Sequence, residues 1–106
     1  MGIDEATLAT IVGRLTEAAS PARIILFGSL AAGTATRDSD IDLLVVEDEV
    51  DDVRAESVRL RMALGDLGRP LDVLVIRTER VERTKDVIGG IAYPANRYGL
   101  VLYEAA

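Results

Sequence analysis

Two short apolar runs, Ile41–Val46 (IDLLVV) and Leu71–Ile76 (LDVLVI), flank a stretch whose apolar positions keep a helical step. Val50, Val53, Ser57, Leu60, Leu64 and Leu67 recur by three and four, while Arg54, Glu56, Arg59 and Arg61 fall off that stripe. Strand, helix and strand in this order allow the two strands to be parallel, joined by a right-handed crossover. The rest of the chain must build onto that unit. Asp4–Ala19 places Leu8, Ile11, Val12 and Leu15 at helical spacing and stops at Ser20-Pro21. Ile24–Phe27 is a short apolar run ending at Gly28, which predicts a buried strand. Ser29–Ala35 is small and Ala-rich, compatible with one or two helical turns, and Thr36–Asp40 is a polar loop. Gly65, Gly68 and Pro70 end the long helix. Thr78–Lys85 is predicted helical and exposed. Gly89-Gly90 and Pro94 break the segment before a short final helix, and Leu100–Tyr103 is a last strand or a packed tail. The expected fold class is α/β, a small mixed sheet packed with helices, in one domain over residues 1–106.

Composition narrows the chemistry. Eighteen Asp and Glu outweigh twelve Lys and Arg, for a formal net charge of −6. That balance argues against a cationic surface for gripping duplex nucleic acid, and against an anionic membrane surface as partner. The chain has no Cys and no His, which excludes zinc sites, disulfides, thiol nucleophiles and imidazole triads. Acid–base work falls to carboxylates, Lys or Tyr, and any metal must be a hard, oxygen-bound ion such as Mg²⁺. No run approaches the roughly 20 apolar residues of a membrane span, and Met1–Glu5 lacks the basic start of a signal peptide, so a cytoplasmic location is expected. A mean hydropathy of +0.22 is high for a small acidic domain. It reflects either an Ala- and Val-rich core or an apolar patch that a partner covers.

The chemistry-bearing stretch is Phe27-Gly28-Ser29, then ten residues, then Asp40-Ile41-Asp42-Leu43. Residues two apart on a strand point to one face, roughly 7 Å apart, so Asp40 and Asp42 aim together while Ile41 and Leu43 enter the opposite layer. Two carboxylates on one face of an apolar strand repel each other and are costly to desolvate; a divalent cation between them relieves both problems. Asp72 is the only charged residue in Pro70–Ile76 and stands near the start of its run, as Asp40 and Asp42 do in theirs. If the two strands are parallel neighbours, three carboxylates converge at one end of the sheet, the ligand set of a two-Mg²⁺ phosphoryl-transfer site. Gly28 lets backbone approach a ligand closely, and Ser29 offers a hydroxyl and adjacent amides to phosphate oxygens.

Each piece alone has an ordinary reading, as a plain turn, a solvated acidic loop or a strand-edge Asp; their order and their placement on matching strand ends favour a site. Two rival motifs fail. Asp38, Asp40 and Asp42 begin like a calcium loop with Glu49 at the twelfth position, but Leu43 stands where that loop needs Gly. Gly28 to Gly33 has the glycine spacing of a phosphate-binding P-loop, but Thr34 stands where its Lys must be.

These residues resemble the nucleotidyltransferase signature of the DNA polymerase β superfamily: a hydrophobic residue with Gly-Ser, a spacer of ten, Asp-x-Asp, and a third Asp on a later strand. Ser39–Leu43 and the closing Gly99–Glu104 are similar to the minimal nucleotidyltransferases in particular, from about Ser20 onward. The resemblance implies a polymerase-β-like nucleotidyltransferase fold and transfer of a nucleoside monophosphate, usually AMP from ATP, to a hydroxyl. It implies Asp40, Asp42 and Asp72 as catalytic, metal-binding residues for two Mg²⁺ ions, and Gly28 and Ser29 as the nucleotide-binding pair. It also implies an antitoxin role beside a helical HEPN-type toxin, one of whose tyrosines is the acceptor. The family often carries Gly-Ser-x-Ala-Arg-Gly, whereas this chain has Ala32 at the Arg position. That departure implies weaker triphosphate binding or a substitute in Arg37. It also keeps open a binding-only antitoxin that neutralises its toxin through an apolar interface. Nucleotidylation of a small molecule is the third option, and needs a partner subunit to build the acceptor pocket.

Overall fold

The computed structural model describes residues 2–33, 39–84 and 99–106. The first helix, α1 (Glu5–Ala18), is capped by Asp4, whose carboxylate accepts from the Thr7 amide at 2.8 Å. Strand β1 (Arg23–Phe27) runs directly into the short helix α2 (Gly28–Ala32), which ends at Gly33 in the left-handed conformation. Strand β2 (Ile41–Glu47) is followed by α3 (Val53–Leu64), capped by Asp52 accepting from the amides of Arg54 and Ala55. Strand β3 (Leu71–Arg77), helix α4 (Thr78–Thr84) and strand β4 (Leu100–Glu104) complete the described elements. Residues 34–38, Lys85, Gly89, Gly90, Pro94 and the expected final helix lie outside the described residues.

The four strands form one sheet in the order β3-β2-β1-β4. β2 and β3 are parallel, as the amphipathic crossover allows, and β1 is antiparallel to both β2 and β4. The closing run is therefore a strand, paired with β1 through a register shift between Ile24 and Ile25. The fold is a small mixed sheet with helices, as expected. The long helix is shorter than its apolar stripe. Val50 and Leu67 lie beyond its ends yet still pack against the core, so they extend the hydrophobic face without sharing the helical backbone.

Strand alternation divides the molecule into two layers. Ile41, Leu43 and Val45 of β2 and Val73 and Val75 of β3 join Ile11 and Leu15 of α1 and Leu60 and Leu64 of α3 in the main core. Leu44 and Val46 of β2, Ile76 of β3, Ile25 of β1 and Val81 of α4 form a smaller cluster on the opposite face. Ser57 is the polar member of the α3 stripe, and its place is explained by the sheet. Its hydroxyl donates to the Val53 carbonyl at 2.8 Å and accepts from the Val75 amide at 3.0 Å. An amide on the outer side of β3 is thereby satisfied by the helix that covers it. Among the described residues, no helix is long and apolar enough to cross a membrane.

Candidate active site

Asp42 is the second residue of β2 and lies on the same face as Leu44 and Val46, opposite the main core. The register places it directly between Phe27 of β1 and Asp72 of β3. Asp72 is exposed, Asp42 half-buried, and Asp40 exposed one residue before the strand begins. Burial raises the Asp42 pKa above the usual carboxylate value, and the negative charges of Asp72 and Asp40 raise it further. Among the described residues, none of the three is in an ion pair.

The expectation that all three carboxylates come to one end of the sheet holds for their position. It does not hold for close convergence: among the described residues, no three acidic side chains are gathered tightly enough to hold an ion as they stand. Parallel pairing fixes strand positions about 4.8 Å apart, and side-chain rotation decides the rest.

Gly28 occupies the turn from β1 into α2, next to the row containing Phe27 and Asp42. Its φ of +72° lies in the left-handed region. A Cβ there would stand 2.3 Å from Asp42 Oδ2 and 3.2 Å from its Cγ. The glycine thus does more than admit a ligand to backbone: its hydrogen-only face makes room for the Asp42 carboxylate. Ser29 follows, half-buried, in the first turn of α2. The oxygen-only donor set, the mutual repulsion felt at Asp42 and the space kept for its carboxylate all fit a hard divalent cation. Asp40, Asp42 and Asp72 are the residues that would hold it. Arg37, expected as an alternative substitute for the family's Arg, lies outside the described residues.

Two features escaped the sequence reading. Arg69, in the turn before β3, donates from Nε to the Ser39 carbonyl at 3.0 Å and from Nη1 to the Gly2 carbonyl at 2.5 Å. Partners so distant in sequence leave no local signal. At the far end of β2, Glu47 is only 5% exposed and its Oε2 has no hydrogen-bond partner. It lines an open pocket of about 470 Å³ with Asp48, Glu49, Glu56 and Arg59. Burial, then the hydrogen bond to and charge of Glu56, push the Glu47 carboxyl up to about 7, against the opposing pull of Arg59. Arg59 grips Glu56 with Nε and Nη2 at 2.7 and 2.8 Å and holds that carboxyl below its usual range. The signal for a buried acid was position: Glu47 continues the inward alternation of Leu43 and Val45.

Comparison with known proteins places this geometry. No curated protein matches the chain. A chain in the crystal structure of a toxin–antitoxin with AMP-PNP shares its fold, with a TM-score of 0.60 and 24% identity over 92% of this chain and 73% of that one. The family model described as "Nucleotidyltransferase domain" matches residues 7–91, a span containing Gly28, Ser29, Asp40, Asp42 and Asp72. The chain belongs to the nucleotidyltransferase domain family.

Proposed function

We propose that this chain is a Mg²⁺-dependent nucleotidyltransferase that moves AMP from ATP to a hydroxyl acceptor, a tyrosine of a helical HEPN-type toxin, and so acts as an antitoxin. The observation that carries the reading is the pairing of Asp42 with Asp72 in adjacent parallel strands, with Gly28 packed beneath the Asp42 carboxylate. Family membership and the fold shared with a toxin–antitoxin chain crystallised with AMP-PNP support the nucleotide and the partner.

Asp40, Asp42 and Asp72 would together hold two magnesium ions. When bound, such ions neutralise the developing charge on the attacking and leaving oxygens. Gly28 and Ser29 hold the β- and γ-phosphates, leaving the α-phosphorus open on its far side. Asp72, exposed at the rim, meets the acceptor hydroxyl and takes its proton. The hydroxyl oxygen bonds to the α-phosphorus as the α–β bridging bond breaks, and pyrophosphate departs. Positioning and electrostatics supply most of the acceleration. The test is incubation of the chain with its partner, α-labelled ATP and Mg²⁺. Label should pass to the partner and be lost with Asp40→Asn; no transfer, or unchanged transfer by that variant, discards the catalytic reading.

A second reading is a binding-only antitoxin, and a surface observation favours it. Leu100 and Val101 of β4 are 40% and 50% exposed. With Leu8, Ala9 and Val12 of α1 they line an apolar groove of about 550 Å³. On this reading Asp42→Asn and Asp72→Asn leave toxin neutralisation intact, whereas Val101→Asp abolishes it. Loss of neutralisation in the Asp variants alone counts against it.

A further inference from the structure

We infer that Arg69 is a positioning residue for the metal-binding carboxylates: the turn it belongs to holds the backbone on both sides of Asp40 and so sets Asp40 against Asp72. The Arg69 guanidinium donates to the carbonyl of Ser39, immediately before Asp40, and the next carbonyl in the turn, that of Pro70, accepts from the Ile41 amide at 2.9 Å, immediately after it. Two residues beyond Pro70 the same chain presents Asp72. A single short turn therefore places two of the three acids. The second arm of the guanidinium reaches the Gly2 carbonyl, adding the segment before α1 to the clamp, where Ile3 is buried in the main core. Asp40 needs such a clamp because it lies one residue before β2 and outside the register with either neighbouring strand. Only Arg can do this work: its planar fork spans two carbonyls at once, whereas Lys offers a single ammonium on a flexible stem.

The inference rests on the proposed metal-binding role of the trio, and two readouts on the full chain separate the two claims. Amide hydrogen exchange across residues 39–43 reads the clamp without any metal. Arg69→Ala should lose protection there, and unchanged protection overturns the inference. Mn²⁺ titration followed by electron paramagnetic resonance reads the consequence. Loss of an outer partner of a metal ligand typically weakens binding by about 10- to 100-fold, and that loss is expected for Arg69→Ala. Equal Mn²⁺ affinity in wild type and variant overturns the inference while leaving the metal reading standing. No Mn²⁺ binding by the wild type overturns the metal reading and the inference with it. Arg69→Lys, which keeps charge and stem, should show the same direction of change; full rescue by Lys overturns the two-carbonyl fork. Arg77→Ala removes another arginine-to-carbonyl bond, to Val50, at the opposite end of β3 from Asp72. It should lower stability with no change in Mn²⁺ affinity, and an equal loss there assigns the Arg69 effect to general destabilisation and overturns the inference.

Discussion

Replacing Glu47 by Gln should stabilise the protein in neutral and alkaline solution and have little effect in acid. Folding raises the Glu47 pKa from 4.5 to about 7 because the group is buried and meets the hydrogen bond and the negative charge of Glu56, against the pull of Arg59. A carboxyl whose folded pKa is raised binds more protons in the native state than in the unfolded chain between those values. Stability therefore falls as pH rises through that window, and the penalty is complete above about pH 7. At 1.36 kcal/mol per pKa unit the ceiling is about 3 kcal/mol, and water in the adjoining pocket screens part of it. Gln has the shape of the protonated acid and can donate to Glu56 as that acid does. It leaves one N–H unpaired, at a cost of about 1 kcal/mol, so the expected net gain is about 2 kcal/mol. Urea unfolding of wild type and Glu47→Gln at about pH 5 and about pH 8 measures it through the linear dependence of unfolding free energy on denaturant. The difference should be near zero or slightly negative in acid and positive in base. A difference that does not change with pH, or a Gln variant less stable at about pH 8, refutes the argument.

Gly28→Ala should lose nucleotidyl transfer and cost about 1–3 kcal/mol, because a side chain at positive φ is strained and its Cβ displaces the Asp42 carboxylate; thermal unfolding and label transfer measure the two effects. Asp42→Asn should abolish transfer while raising stability, since a neutral amide escapes the cost of burying a charge and the repulsion of Asp72 and Asp40; a drop in stability would contradict that electrostatic account. Leu43→Ala, at a fully buried position of β2, should destabilise by about 2–5 kcal/mol in chemical denaturation. Ser57→Ala should cost about 1–3 kcal/mol by leaving the Val75 amide unpaired, and should speed hydrogen exchange at that amide.

What could be read from the chain alone was whatever depends on short-range periodicity. The alternation through Ile41, Asp42 and Leu43 fixes which side chain enters the core. The α3 stripe allows β2 and β3 to be parallel, and from their pairing follows the neighbourhood of Asp42 and Asp72. The helix ends were less legible, because Val50 and Leu67 pack like helical residues without being helical. Glu47 was hidden by its company: it begins the acidic series Glu47–Asp52, whose later members face water, while the strand carries Glu47 itself one step further inward. The second role of Gly28, as space for a carboxylate, depends on a strand pairing and not on its own neighbours. Arg69 was invisible for the same reason, since its partners Ser39 and Gly2 come from distant parts of the chain.

The register between β2 and β3 has a kinetic consequence. Asp42 and Asp72 are separated along the chain by the whole of α3 and become neighbours only when the two strands zip together. Closing such a non-local pairing is among the slower events of folding, because the loop entropy is lost before contacts compensate it. An unfolded chain consequently presents isolated aspartates, and the carboxylate pair exists only once β2 and β3 have joined.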